Sequence, residues 1–117
     1  MAAFSQSELA AIAGALGDTT DGLTGTEIEF LFRTAKLFDS GPMTKRDRIY
    51  NAFVHSQNST QKRNNVLAFI RKAMEPARYS RTPGRYEPMR ANLNRALAFA
   101  GLVVDESGIL SSVSRAT

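Results

Sequence analysis

Apolar positions along the chain recur at intervals of three and four residues in five separate segments, which is the spacing of one face of an α-helix. After Gly101 the interval changes to two, in Leu102 and Val104 and again beyond a polar turn at 105–108. Residues 102–113 are therefore predicted to form a β-hairpin. The whole pattern predicts a mostly α fold, a compact bundle of about five helices closed by a C-terminal β-hairpin.

Local signals indicate where several of these helices begin and end. Thr24 and Glu27 have the spacing of a capping box, which predicts that the second helix begins after Thr24. Thr44 is the predicted cap of the third helix, and the polar run 56–61 is expected to end it. Pro76 is expected to end the fourth helix, because a proline cannot donate the next hydrogen bond of the ladder.

The length of 117 residues and the 43% hydrophobic content fit a single helical domain, residues 1–117, with a core that needs no disulfide. The opening stretch 1–22 is short and rich in Ala and Gly, so it predicts a loosely packed first helix followed by a loop. The phenylalanines at helical spacing are expected in the core in most cases: Phe30, Phe32, Phe38, Phe53, Phe69 and Phe99. Phe32 lies off the main apolar stripe of its helix, so for this residue the alternative prediction is a contact with another domain.

Composition argues against several kinds of chemistry. The chain has no Cys, hence no disulfide, no thiol nucleophile and no Cys-based zinc site. His55 is the single histidine, and no cluster of His with Asp or Glu has ligand spacing, so neither a metal nor a cofactor is expected. No apolar run approaches the roughly 20 residues that span a bilayer, and residues 1–5 do not resemble a signal peptide. We therefore expect a cytoplasmic protein with no membrane partner.

Charge is distributed unevenly along the chain. Residues 44–95 contain twelve Lys and Arg against three Asp and Glu, a net charge of +9. Residues 1–43 contain six acidic residues against two basic ones, a net charge of −4. The net charge of +4 for the whole chain therefore hides a strong separation of charge, and a basic block of this kind is typical of a surface that meets phosphates or an acidic partner.

Eight bases of this block form the predicted binding site, with no catalytic residue among them: Lys45, Arg46, Arg48, Lys62, Arg63, Arg78, Arg81 and Arg85. Several flank predicted helix starts, whose partial positive charge favours phosphate, and nearby Asn and Gln side chains can read base edges. Tyr79 and Tyr86 add rings of the type on which single strands stack. The predicted ligand is nucleic acid or an acidic protein surface. The opposing interpretation is a solvated face that pairs with acidic residues between positions 8 and 39 of the same chain or of a partner.

Arg48 and His55 lie near one face of a predicted helix, with a spacing that resembles the Arg and His pair of HEPN ribonucleases. In those enzymes His can move a proton and Arg can stabilise phosphate charge. With one histidine per chain, two protomers would have to share such a site, so we expect no enzyme and retain a metal-independent ribonuclease as the weaker alternative. The hairpin is similar to the wing of a winged helix, but Asp105 and Glu106 in its turn would repel phosphate, which favours a structural lid.

Four stretches resemble the N-terminal module of the Ymh-like family of prophage and bacterial-defence proteins: 23–28 (LTGTEI), 45–51 (KRDRIYN), 64–79 (NNVLAFIRKAMEPARY) and 90–102 (RANLNRALAFAGL). The hairpin and the last five residues also match, so the resemblance covers roughly residues 23–117, and 64–79 is its specific part. Members of this family usually continue into a second helical domain of abortive-infection type. The resemblance thus implies a C-terminal effector domain as a partner, and it supplies no established reaction.

The charge pattern and the resemblance together predict a non-catalytic recognition or adaptor domain of a phage-defence or prophage protein. Such a domain would engage nucleic acid or a protein partner through its basic face. The alternative is a protein-interaction or oligomerisation module that binds no nucleic acid, and a homo-oligomer is among the expected assemblies.

Overall fold

The computed structural model describes residues 3–116, which form a helical bundle with a two-stranded antiparallel hairpin at the C-terminal end. Its five α-helices are Gln6–Leu16 (α1), Gly25–Ala35 (α2), Lys45–Thr60 (α3), Asn64–Ala73 (α4) and Tyr86–Leu97 (α5). Short 3-10 turns cover Pro76–Tyr79, Pro83–Arg85 and Ala98–Ala100, and the strands are Leu102–Val104 (β1) and Leu110–Ser112 (β2). The predicted fold class is confirmed.

Side-chain caps fix the starts of the first three helices. Thr24 and Glu27 form the predicted capping box, in which each side chain accepts a hydrogen bond from the other residue's N–H. The Thr44 hydroxyl caps α3 by accepting from the N–H of Asp47 at 3.3 Å. Ser5 and Glu8 form a second capping box at the start of α1, which the sequence analysis did not identify.

Helix α1 packs closely, which differs from the loose packing expected for it. It lies against α3 and α5, and Leu9, Ile12 and Leu16 are buried. The small residues that suggested looseness have the opposite effect, because they let two backbones approach. A Cβ on Gly17 would lie 2.7 Å from the main-chain nitrogen of Arg46 at the start of α3.

The phenylalanines divide between core and surface. Phe32, Phe53 and Phe69 are buried and stack, with the Phe69 ring centroid 5.7 Å from that of Phe32 and 5.3 Å from that of Phe53. The prediction that Phe32 contacts another domain is therefore wrong. Phe30, Phe38 and Phe99 were expected in the core, but they are 48%, 59% and 60% exposed.

Two helices end at positions other than those predicted, and the first of these ends explains the exposure of Phe38. Helix α2 ends at Ala35 and the next residue, Lys36, takes a left-handed conformation with φ 61°, so Phe38 lies beyond the helical stripe. Helix α3 instead continues through most of the polar run that was expected to end it and stops at Thr60. Gln61, with φ 58°, then turns the chain into α4.

The two-stranded hairpin lies against the end of α5. Its register pairs Leu102 with Ser112, Val103 with Ser111 and Val104 with Leu110. Gly108 closes the turn with φ 84°, and a Cβ there would lie 2.4 Å from the carbonyl oxygen of Met74. The turn is thereby seated on the end of α4. No helix within residues 3–116 is long and apolar enough to cross a membrane.

Candidate binding surface

Glu27 holds two of the predicted site residues in place. Both terminal nitrogens of the Arg85 guanidinium donate to its carboxylate, Nη1 to Oε2 at 3.1 Å and Nη2 to Oε1 at 2.8 Å. Arg85 Nη2 also donates to the carbonyl oxygen of Gly22 at 3.3 Å. Arg78 Nη2 lies 3.7 Å from Oε2, and its guanidinium sits 5.5 Å from the ring centroid of Phe30. The carboxylate therefore joins the start of α2 to both 3-10 turns before α5.

The charges in this cluster affect each other's protonation. Burial alone would raise the pKa of the Glu27 carboxyl, but hydrogen bonds from Arg85 and from the Thr24 N–H hold that pKa below its ordinary value. The hydrogen bond to Glu27 in turn raises the pKa of Arg85. The lowered pKa of Glu27 and the raised pKa of Arg85 both favour the charged forms, so their pair is a charged contact inside the fold at neutral pH.

Arg48 is engaged in a second internal pair. Its guanidinium makes a two-pronged contact with Asp39: Nε donates to Oδ1 at 2.9 Å and Nη2 donates to Oδ2. The same guanidinium lies 5.6 Å from the ring centroid of buried Phe32. The hydrogen bond from Arg48 is the main cause of the lowered pKa of the Asp39 carboxyl. Arg48 thus fastens the α2–α3 loop to α3.

Lys45 has a structural contact of a different kind. Its ammonium donates to the carbonyl oxygens of Leu23 at 2.8 Å and of Asp18 at 3.2 Å. Arg85 contacts the neighbouring carbonyl of Gly22, so two of the predicted site residues hold the α1–α2 loop. The Lys45 ammonium is therefore used in structural hydrogen bonds within the described residues, which leaves it fewer hydrogens to donate to a ligand.

The remaining four predicted residues lie in three segments of the chain: Arg46 at the start of α3, Lys62 and Arg63 side by side between α3 and α4, and Arg81 between two 3-10 turns. Arg46, Lys62 and Arg81 are exposed, and the Arg63 guanidinium lies 4.7 Å from the ring centroid of Phe4. Arg46 lies in the first turn of α3 and Lys62 lies beyond its end at Thr60, so about 21 Å of helix at 1.5 Å per residue separates the two regions. The eight bases therefore do not all face one ligand: Arg78 and Arg85 meet on Glu27, Arg48 faces Asp39, and Lys45 fastens the loop between α1 and α2.

The tyrosines proposed as stacking platforms are inside the protein. Tyr79 and Tyr86 are both buried, and their rings lie 5.5 Å apart by centroid. Their hydroxyls donate to the carbonyl oxygens of Ala73 at 2.7 Å and of Met74 at 3.1 Å, and burial raises the pKa of each. They fasten the end of α4 to the 3-10 turn and to α5, so the expectation that single strands stack on them is wrong.

The Arg48 and His55 pair does not form a vacant anion site. His55 is exposed and its ring stacks on that of Phe38 with the centroids 5.0 Å apart. The guanidinium fork that would hold phosphate charge is occupied by Asp39. In the part of the chain that the structure describes, no group of three or more His, Cys, Asp or Glu side chains is placed to hold a metal ion.

One residue central to this surface escaped the sequence analysis. Glu27 was recognised as a helix cap, but its two arginine partners lie more than fifty positions away, and no local pattern connects them. A signal was nevertheless present, since the opposite net charges of residues 1–43 and 44–95 favour ion pairs between the two segments.

Comparison with known proteins adds no identification. No family model, no curated protein and no solved structure matches the chain.

Proposed function

We propose that this domain is a non-catalytic recognition module whose ligand is an acidic segment of a partner protein, and that it acts as an adaptor in a phage-defence or prophage protein. The biological setting is supported by the resemblance of residues 23–117 to the Ymh-like family. The choice of a protein ligand is supported by one observation: the bases at the centre of the predicted site are used inside the fold.

Nucleic-acid binding depends on several cations that neutralise neighbouring phosphates. Here the guanidinium groups of Arg48 and Arg85 face carboxylates, and the Lys45 ammonium faces main-chain carbonyls. Exposed Arg46 lies at the start of α3 and exposed Lys62 lies beyond its other end, which suits single charge contacts with an acidic protein better than a continuous phosphate track.

Exposed apolar side chains favour the same ligand class. Phe30, Phe38, Ile109 and Val113 are 46–60% exposed although the domain has an extensive buried core. Protein interfaces are enriched in aromatic side chains and arginine, and a large apolar side chain beside a cation is a common combination there. Phe30 beneath the Arg78 guanidinium is one such place on this surface.

Fluorescence anisotropy can compare the two ligand classes directly. The probes are a random copolymer of glutamate and tyrosine, a random-sequence DNA duplex, and single-stranded RNA, each titrated with the intact chain at low and at physiological salt. We expect the copolymer to bind and to remain bound at physiological salt, while the nucleic acids bind weakly at low salt alone.

A tighter complex with either nucleic acid would contradict the proposal. Neutralisation of four to five phosphates would then appear as a log–log salt slope of about −4 for the duplex. The triple variant Arg46→Ala, Lys62→Ala, Arg81→Ala is the control, because it removes exposed bases of the predicted site and leaves the pairs with Glu27 and Asp39 intact. A nucleic-acid complex formed through the basic face would be lost in that variant.

A further inference from the structure

The two outer edges of the C-terminal hairpin differ in their hydrogen bonds to the rest of the fold. Asp105 N–H donates to the Ile109 carbonyl at 3.0 Å, and Val113 N–H donates to the Gly101 carbonyl at 2.9 Å. In an antiparallel pair the hydrogen-bonding direction alternates along each strand. The N–H and C=O groups of Val104 therefore point away from β2, and those of Leu110 and Ser112 point away from β1.

The outer edge of β1 is closed by side chains of α5. Asn94 behaves like the peptide group of a neighbouring strand: its Nδ2 donates to the Val104 carbonyl at 2.9 Å and its Oδ1 accepts from the Val104 N–H at 2.9 Å. Arg90 Nη1 donates to the same carbonyl at 2.9 Å. This edge can accept no further strand.

The outer edge of β2 has no such cover. Among residues 3–116 no group donates to or accepts from the outward N–H and C=O groups of Leu110 and Ser112. A row of unsatisfied main-chain groups is the template to which an extended segment adds as a new strand. Ile109 and Val113, which flank this strand on either side, are exposed apolar residues that an added strand would partly cover.

A groove beside β2 has positively charged side chains that could contact an acidic ligand. It has a volume of about 380 Å³ and is lined by Arg71, Lys72 and Glu75 at the end of α4 and by Gly108, Ile109 and Leu110 of the hairpin. Arg71 is exposed and has no acidic partner within the described chain, whereas Lys72 pairs with Glu75 at 3.4 Å. The side of the groove opposite the strand therefore has a net charge of +1.

We propose that β2 is the docking edge for an extended acidic segment of a partner protein, which adds a third strand to the hairpin and places a carboxylate against Arg71. The inference rests on the proposed function and names the surface that would perform it. A second copy of this chain is a less suitable ligand for this edge. Pairing of two β2 strands would bring the Arg71 and Lys72 side chains of both copies close together, and their like charges would repel.

The test uses the intact chain labelled with ¹⁵N and a blocked peptide of eight residues that alternates glutamate and valine. We expect binding, with hydrogen exchange slowed at the amides of Leu110 and Ser112, since these amides become donors to the added strand. Arg71→Glu should weaken the complex by about tenfold. Arg33→Glu, the same charge change at an exposed arginine of α2 outside the predicted site, should alter the affinity less than about twofold.

Ser112→Pro tests the main-chain contact separately. The Ser112 N–H points away from β1, so proline removes a donor to the ligand without removing a hydrogen bond of the hairpin. We expect the affinity to fall about three- to tenfold, which corresponds to one hydrogen bond. A thermal melt of the free variant establishes that the hairpin is retained.

The outcomes separate this inference from the proposed function. Binding of the Glu/Tyr copolymer without binding of the alternating peptide would overturn the strand-addition inference alone. The same conclusion would follow if the peptide bound but Arg71→Glu and Ser112→Pro left its affinity unchanged. Arg71 and Lys72 would then only guard the edge against aggregation. Failure of both acidic probes to bind, with nucleic acid bound instead, would overturn the inference and the proposed function together.

Discussion

Glu27 joins parts of the chain that are far apart in sequence. It closes the capping box of α2 and accepts from Arg85 across 58 positions, with Arg78 also within ion-pair distance. Glu27→Gln should lower the free energy of unfolding by about 1–3 kcal/mol, because a partly buried, charge-assisted contact loses its charge. Glu29→Gln is the matched control on the same helix. Its pair with Arg33 is exposed, and the expected change in urea unfolding is below about 0.5 kcal/mol.

The same carboxylate makes stability depend on pH. The folded-state pKa of Glu27 lies below its ordinary value of 4.5, so the unfolded chain takes up the proton first as the pH falls. Its contribution is complete above 4.5 and is lost as the pH falls through the lower folded-state pKa. Urea unfolding at neutral pH and at steps below 4.5 should show the stability gap between the parent and Glu27→Gln closing. A gap that stayed constant would mean that charge is not what the variant removes.

Phe69 occupies the centre of the aromatic cluster. Its ring is fully buried between those of Phe32 and Phe53. Phe69→Ala should cost roughly 3–5 kcal/mol, because it removes buried apolar area and leaves a cavity. Phe38→Ala deletes the same ring at a position that is 59% exposed, so its melting temperature should stay near that of the parent. Similar melts for the two variants would contradict this placement of the core.

At the scale of elements, the seat of the hairpin turn depends on Gly108. Its φ of 84° is unfavourable for other residues, and a Cβ would lie 2.4 Å from the Met74 carbonyl oxygen and 2.9 Å from Pro76 Cδ. Gly108→Ala should therefore destabilise the domain by more than about 2 kcal/mol through strain and lost packing of the hairpin. Gly84→Ala is the control, since a Cβ at Gly84 meets nothing within 4 Å. We expect thermal unfolding of that variant to be unchanged or slightly raised.

Helices and strands could be predicted from the sequence where a local signal specifies them. The capping box at Thr24 and the change of apolar spacing after Gly101 both predicted structure that is present. The end of α3 was predicted wrongly, because tertiary contacts extend a helix through polar residues. Ser56 is buried, and the Gln57 side chain bonds the main chain of Phe4, accepting from its N–H and donating to its carbonyl oxygen at 3.0 Å each.

The candidate surface was less predictable than the fold for a physical reason. Sequence shows that a base exists but not which acid it faces, and Arg48 and Arg85 find carboxylates in the N-terminal half of the chain. Likewise, alternating apolar spacing predicted the hairpin, but only the Asn94 contact shows that one edge is closed. The open edge of β2 follows from that asymmetry and has no signature in the sequence.

At the scale of the whole molecule, the separation of charge along the chain becomes a set of internal contacts. The −4 of residues 1–43 and the +9 of residues 44–95 meet at Glu27 and Asp39, which reduces the basic charge left for a ligand. Part of the basic charge therefore stabilises the fold, because it pairs with acidic residues of the N-terminal segment. The whole chain still has a net charge of +4, which favours acidic ligands at a distance.

The pairing of Arg48 with Asp39 also allows a structural role of Arg48 to be distinguished from a catalytic role. Arg48→Ala should destabilise the domain by about 1–3 kcal/mol, because Asp39 loses its bidentate partner, whereas His55→Ala should leave the melt nearly unchanged. We expect the parent chain not to cleave single-stranded RNA, with or without added metal. A ribonuclease would lose orders of magnitude in rate in either variant, because His55 would move the proton and Arg48 would hold phosphate charge. RNA cleavage by the parent that disappears in the stable His55→Ala variant would therefore overturn the non-catalytic assignment, since no loss of folding could explain it.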